Sequence, residues 1–281
     1  VTSIINMVSH LRTTRNVDPN RVFVTGLSAG GAMTSVLLST HPDVFREGAV
    51  MAGLPFRCAQ TQLEAFNCMN SPPDRTPQQH CDLVRGVAGT SGFPAPRVSI
   101  WHGTSDFTVE VGNLTELIDQ WTNVNGVDVV ADATATIGAA TRREYRNAQG
   151  QTRVESWTIS NMSHGTPVDP RRGCGTAGAF VLDVQLCSSR FAGEFFGLIP
   201  TSSQDAGVVV DAGPGPVSDA GTPPDAGSAF DAGTAADAGS RPDAGVGRVS
   251  GVHGSQLHPH RRAASDGMWR CFSELLRGRI G

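Results

Sequence analysis

The chain has 281 residues, 22 basic residues that are all arginine and 26 acidic ones, for a formal net charge of −4; that length suits one sizeable domain with appendages. Charge is uneven, with 15 Arg against 17 acids in residues 1–200, 1 against 7 in 201–247 and 6 against 2 in 248–281. The part able to build a core is thus nearly neutral, which gives no electrostatic footprint for nucleic acid, and no run approaches the roughly 18 apolar residues of a membrane span.

A helix is expected over Val1 to about Thr14, where Ile4, Ile5, Val8 and Leu11 recur at spacings of three and four. A chain that opens inside a helical pattern at Val1, with no Met and no signal sequence, reads as a fragment of a longer protein. Asn16-Val-Asp-Pro-Asn20 breaks the helix, because Pro19 biases Asp18 towards extended geometry. Arg21-Val-Phe-Val24 has strand chemistry and runs into Gly26-Leu-Ser-Ala-Gly30, with a helix following from about Gly30 to Ser39. Gly-x-Ser-x-Gly in strand–turn–helix context is the pattern of a nucleophile elbow. So tight a turn demands tiny neighbours, and Gly26, Ala29, Gly30 and Gly31 supply them. Ser28 then stands at the head of a helix, where the peptide dipoles favour negative charge. The competing reading is a glycine-rich turn with an ordinary N-cap serine.

Gly48-Ala-Val-Met-Ala-Gly53 suits a strand buried on both faces of a parallel sheet. Residues 55–96 hold three cysteines and six prolines. They read as an excursion over the active-site end, with short helices near Thr61–Asn67 and Gln78–Gly86. Arg97-Val-Ser-Ile-Trp-His102 is the next strand and Gly103-Thr-Ser-Asp-Phe-Thr-Val109 its loop. Asn113–Asn123 is a helix with Leu114, Leu117, Ile118 and Trp121 on one face. Thr141–Tyr145 and Thr152–Ser160 read as a hairpin around Asn147-Ala-Gln-Gly150, the second arm setting Val154, Ser156 and Thr158 against Glu155, Trp157 and Ile159. Asn161-Met-Ser-His-Gly165 follows that arm, and a helix from about Ser188 to Phe196 closes a domain over residues 1–200.

Beyond residue 200 the composition changes. Asp-Ala-Gly recurs at Asp205, Asp211, Asp219, Asp225, Asp231, Asp237 and Asp243. With almost no large apolar side chain, residues 201–247 cannot offset their ordering entropy and are expected to be a disordered, self-repelling linker. Residues 248–281 form a basic tail, in which Met268, Trp269, Phe272, Leu275 and Leu276 share a helical face; association with a cell surface is one role for it.

Six cysteines occur, at 58, 68, 81, 174, 187 and 271, and no pair has the short spacing of a zinc site. Their local grouping (58/68/81 and 174/187) looks like disulfide pairs and hence an oxidising, extracellular compartment; buried free thiols are the alternative.

Alternating strands and helices imply an α/β fold, a mostly parallel sheet with helices on both faces. Such sheets place reactive groups beyond the carboxyl ends of the strands. Ser28, Asp106 and His164 each follow a strand there, in the chain order of α/β-hydrolases. A serine hydroxyl needs an adjacent base, histidine titrates near working pH, and an acid fixes the imidazole tautomer. Ser28 is therefore the candidate nucleophile, His164 the base and Asp106 the acid, with the backbone N–H of Ala29 as an oxyanion donor. The rivals are weaker: His102 braces the acid loop, His80 lies in the excursion, His41 ends a helix, Asp119 is mid-helix and Asp128 precedes an edge-like run. No cofactor is expected, nor a metal, since no carboxylate–histidine cluster has ligand spacing.

At these residues the sequence resembles the polyhydroxybutyrate depolymerase family of α/β-hydrolase esterases, which is related to secreted feruloyl and acetylxylan esterases. The resemblance rests on Gly26-Leu-Ser-Ala-Gly-Gly-Ala-Met33, Phe56-Arg-Cys-Ala59 with Cys68-Met69, Val98-Ser-Ile-Trp-His-Gly-Thr-Ser-Asp106 with Thr108-Val109, and Met162-Ser-His-Gly-Thr-Pro-Val-Asp169. It covers roughly residues 1–198. It implies hydrolysis of ester bonds between 3-hydroxybutyrate units, with Ser28, Asp106 and His164 as triad. The family's usual His-Gly oxyanion segment has no counterpart here, and at least three central strands are expected to be missing, leaving the Ser28 strand with a bare edge. Trp101, Trp157 and the Phe56 region are either groove-lining or core. Three functional readings stand: a secreted polyester-cleaving serine esterase, a feruloyl or acetylxylan esterase, and a non-catalytic truncated surface protein.

Overall fold

A computed structural model describes residues 1–87, 95–200 and the strand 208–211. In chain order its elements are α1 (Thr2–Thr14), β1 (Phe23–Leu27), α2 (Ala29–Thr40), β2 (Glu47–Met51), α3 (Gln62–Asn70), α4 (Pro77–Arg85), β3 (Arg97–Gly103), α5 (Gly112–Asn125), β4 (Ala133–Ile137), β5 (Ala140–Arg146), β6 (Thr152–Ile159), β7 (Thr166–Val168), β8 (Val181–Asp183), α6 (Ser188–Phe195) and β9 (Val208–Asp211). Seven strands form one sheet in the order β1-β2-β3-β6-β5-β4-β9, while β7 and β8 pair separately.

The first four strands of that order are parallel, with Leu27, Met51, Trp101 and Trp157 side by side. This register brings the carboxyl ends of β1, β3 and β6 to one rim, the edge at which open α/β sheets bind their ligands. The rest of the sheet continues antiparallel through β5, β4 and β9. Alternate side chains feed two cores. Val50, Ile100 and Val154 meet Leu37 and Leu38 of α2 and Leu117 and Trp121 of α5, and Ile4, Ile5 and Val8 of α1 pack on the same cluster. On the other face Ala49, Met51, Trp101, Trp157 and Ile159 meet Phe191 and Phe195 of α6. The expected α/β-hydrolase architecture, with helices on both faces, is present.

Of the two readings of Trp101 and Trp157, groove or core, the core one holds: their rings stack at 4.3 Å, with Phe191 against them, and both are buried. Phe56 is buried as well. The alternation along β6 does not separate wet from dry, since Val154, Glu155, Ser156 and Trp157 are all buried. β6 is a central strand between β3 and β5, so its alternation only sorts side chains between two dry faces. Glu155 is accommodated there by Ser99 Oγ at 2.6 Å and Arg142 Nε at 2.7 Å. The strand β4 went unrecognised, because Ala133-Thr-Ala-Thr-Ile137 has small, half-covered side chains.

The excursion carries its two helices, each opened by a capping box: Thr61 with Glu64, and Thr76 with Gln79. Among the described cysteines none is free: Cys58 bonds Cys68, Cys174 bonds Cys187, and Cys81 is also in a disulfide. The linker expected from residue 201 is interrupted by β9, where Val208-Val-Val210, a run of β-branched residues, pairs antiparallel with β4. The rest of 201–247, and all of the tail 248–281, lie outside the described residues. Among the described residues β1 has a sheet neighbour on one side only.

Candidate active site

The site is assembled from three loops at the rim. At the end of β1 the chain reverses into α2 through Ser28, held at φ 59° and ψ −119°. Positive φ is costly for a residue with a Cβ and persists where the surroundings enforce it. The enforcement is visible. A Cβ on Gly26 would lie 2.2 Å from the Gly30 carbonyl oxygen, and one on Gly31 would lie 2.9 Å from Gly53 Cα. Gly30 itself does not need to be small, as a Cβ there meets nothing within 4 Å. The Ser28 N–H is anchored to the Met51 carbonyl of β2 at 2.9 Å. Ser28 does not use its side chain to cap α2, which disposes of the ordinary N-cap reading. Ala29 is the first residue of α2, so its N–H has no acceptor inside the helix.

The second and third loops are clamped together. Gly103 ends β3 so close to the loop after β6 that a Cβ would sit 2.2 Å from the Met162 carbonyl oxygen. The N–H of Thr104 donates to Ile159 and that of Ser105 to Met162, at 2.9 and 3.0 Å, while the Asn161 N–H donates to the Thr104 hydroxyl at 2.9 Å. This clamp sets Asp106 beside His164. Asp106 Oδ1 accepts from the N–H groups of Thr108 and Val109, both at 2.9 Å. Asp106 Oδ2 lies 2.7 Å from His164 Nδ1. The turn role and the acid role therefore coexist in one carboxylate, one oxygen for each. With its proton on Nδ1, a neutral His164 keeps a lone pair on Nε2, as a base requires.

His102 braces this loop from below, as expected. It is buried, with Nε2 2.9 Å from the Val109 carbonyl oxygen and 3.6 Å from Asp106 Oδ2. A carbonyl only accepts, so His102 Nε2 carries a proton. Burial holds the ring below the usual histidine pKa, against the partial opposition of the Val109 hydrogen bond and the Asp106 charge.

Asp106 and His164 are thus brought into direct contact, and Ser28 stands on the same rim two strands from Asp106. Ser28 makes no side-chain hydrogen bond to His164 or to other described residues; such bonds are often long without substrate and tighten in the complex. The weaker rivals lie elsewhere: His80 bonds Glu116 at 3.0 Å, His41 bonds Thr40 at 2.7 Å, and Asp128 caps its own turn through the Val130 N–H. Sequence reasoning missed Phe180, whose ring meets that of His164 edge to face at 5.9 Å. No local pattern marks it, because the contact depends on the pairing of β7 with β8.

Residues 1–147 match the family model described as Esterase PHB depolymerase. The chain belongs to that family. The match includes Ser28 and Asp106, and His164 follows it. Among its relatives, the poly(3-hydroxyalkanoate) depolymerase C of Paucimonas lemoignei is 48% identical over 202 residues, covering 70% of this chain and 48% of the relative. An acetylxylan esterase of Coprinopsis cinerea is 36% identical, covering 59% of this chain and 45% of that one. This family member therefore spans about half the length of these relatives. Among solved structures, an acetyl xylan esterase from Aspergillus awamori aligns with a TM-score of 0.56 at 22% identity, over 70% of this chain and 67% of that one. That likeness concerns the fold.

Proposed function

We propose that this member of the PHB depolymerase esterase family is a serine esterase that cleaves a polyester of the poly(3-hydroxybutyrate) kind, with Ser28 as nucleophile, His164 as base and Asp106 as acid. The observation that carries the reading is the 2.7 Å contact between His164 Nδ1 and Asp106 Oδ2, made from two loops on the rim where the Ser28 elbow also ends. The 48% identity to a poly(3-hydroxyalkanoate) depolymerase supports the substrate class.

In acylation, His164 Nε2 takes the Ser28 hydroxyl proton as Oγ attacks the ester carbonyl carbon. The carbonyl π pair moves onto oxygen, and the Ala29 N–H at the head of α2 donates to that oxyanion. The tetrahedral species collapses by re-forming the carbonyl and expelling the alkoxide of the next unit, which receives the proton from His164. Deacylation repeats the sequence with water in place of serine, releasing a carboxylic acid and restoring Ser28. Asp106 stays ionised throughout and stabilises the imidazolium. No metal or cofactor enters these steps.

The identity to an acetylxylan esterase supports a second substrate reading, a feruloyl or acetyl ester on polysaccharide, with the same mechanism. The disulfides Cys58–Cys68 and Cys174–Cys187 fit an oxidising compartment, and we place the protein outside the cell. The test is a fluorophosphonate probe followed by turnover of poly(3-hydroxybutyrate) film beside methyl ferulate and acetylxylan. We expect labelling and film hydrolysis by the parent, and loss of both in Ser28→Ala. A folded parent that takes no label would leave the surface-protein reading in its place.

A further inference from the structure

We infer that Phe180 is a positioning residue for His164, held over the imidazole by a strained turn that the small β7–β8 sheet exists to fix. The inference deepens the esterase reading and rests on it for its catalytic consequence. Three independent observations converge on this residue. First, the Phe180 and His164 rings meet at 77° with centroids 5.9 Å apart, a favourable edge-to-face geometry. Second, Phe180 has φ +60°, which is a genuine outlier for a bulky side chain. It occupies the third position of a tight turn closed by mutual hydrogen bonds between Gly178 and Val181 at 2.9 and 3.1 Å, where glycine or asparagine is the usual solution. Third, Phe180 is 57% exposed although its side chain is large and apolar, so burial does not offset the strain of that backbone.

The surroundings tie the turn to the base's own loop. The Phe180 carbonyl accepts from the Thr166 N–H at 2.8 Å, two residues beyond His164. Gly165 fits so closely that a Cβ there would be 2.9 Å from the Phe180 carbonyl oxygen. From this point β7 and β8 run parallel, with Thr166 opposite Val181, and the Cys174–Cys187 disulfide ties the segment between them to the chain just beyond β8. The His164 ring is therefore held at Nδ1 by Asp106 and on its flank by Phe180. Rotation about the Asp106 contact, which the hydrogen bond alone permits, is blocked by the phenyl ring. Strain at a residue whose ring meets that of His164, with little burial to offset it, points to a role for the side chain rather than for the backbone.

The decisive variant is Phe180→Gly, because glycine relieves the backbone while deleting the ring. We expect a melting temperature equal to or above the parent's, together with a roughly tenfold fall in kcat at near-constant KM, the size of effect that a loosened catalytic geometry produces. Phe180→Trp should recover activity to within about threefold, and Phe180→Leu, apolar but not aromatic, should fall between. A readout free of turnover is the downfield proton resonance of His164 Nδ1–H: sharp in the parent and in Phe180→Trp, broadened in Phe180→Gly. A Phe180→Gly protein with the parent's kcat and a sharp resonance would overturn the inference, as would Phe180→Leu and Phe180→Trp behaving alike if the glycine variant does not fold. A parent that hydrolyses no ester but loses the resonance on Phe180→Gly would sink the esterase reading and leave the positioning role standing.

Discussion

Two buried histidine–carboxylate pairs in this molecule look alike and are built for different ends. At the rim, His164 Nδ1 meets Asp106 at 2.7 Å. Between α4 and α5, His80 Nε2 meets Glu116 at 3.0 Å, while His80 Nδ1 meets the Gln120 side-chain amide at 3.3 Å. An amide nitrogen only donates, so His80 Nδ1 must accept and Nε2 must carry the proton. Both ring nitrogens are thereby spent on protein partners. Gln120 is itself held by the Phe56 N–H at 2.8 Å, and Glu116 by the Arg75 N–H at 3.1 Å, so the pair stitches the excursion 55–87 onto α5. His164 has one nitrogen on its carboxylate and no second hydrogen bond among the described residues. On the proposed mechanism it is this unspent nitrogen, and not the carboxylate, that lets His164 act as base.

Exchanging each histidine for alanine breaks this comparison open. On the proposed mechanism, His164→Ala is expected to lower kcat/KM about 10⁶-fold, as loss of a triad base does, and to leave the melting temperature within a few degrees. His80→Ala is expected to leave kcat/KM unchanged at temperatures where the protein is folded. It strands the Glu116 carboxylate in the interior and opens a cavity, a combination costing on the order of 3 kcal/mol, readable as a lower urea midpoint. Equal losses of rate from both variants would mean that the seam between α4 and α5 takes part in chemistry.

The same contrast explains what the sequence could and could not disclose. Ser28 was legible because its elbow is local: Gly26, Ser28 and Gly30 lie within one turn, and the strand before and helix after are contiguous with them. Asp106 and His164 were legible because each directly follows a strand, so the parallel register alone carries them to one rim. His80 and Glu116 carry no such mark, since their meeting depends on how two helices lie across each other. Phe180 is further still from any local pattern: its place over His164 requires a parallel pairing between Thr166 and Val181. Gly30 shows the opposite error, a motif glycine credited with a packing need that belongs to Gly26 and Gly31.

Asp119 gives the seam a pH dependence of its own. Burial, then the Glu116 and Asp74 charges, push its carboxyl from 3.8 to about 7. The folded state therefore holds a proton that the unfolded chain releases near pH 4, and stability falls as pH rises from about 4 to about 7. Asp119→Asn should remove that slope and be more stable than the parent at pH 8, by on the order of 2 kcal/mol. Denaturant midpoints at pH 5 and pH 8 measure it. A parent equally stable at both, with the variant parallel to it, would show that Asp119 ionises freely.

The smallest expected effect belongs to His102, which stands between the two kinds of pair. It lies 3.6 Å from the Asp106 carboxylate, yet its hydrogen bond among the described residues is the 2.9 Å one from Nε2 to the Val109 carbonyl. Glutamine can place an N–H at a similar reach, so His102→Gln should preserve the loop and cost about threefold in kcat/KM, the worth of one weakened neutral hydrogen bond. Acid sensitivity separates bracing from chemistry. Because burial depresses the His102 pKa below its usual 6.5, the unfolded chain takes up a proton that the folded one refuses, and stability is lost as pH falls below about 6.5. His102→Gln should flatten that part of the stability profile while the pH–rate profile, which the proposed mechanism assigns to His164, keeps its midpoint. A shift of the rate profile with the stability profile unmoved would make His102, rather than Asp106 alone, the group that governs the base.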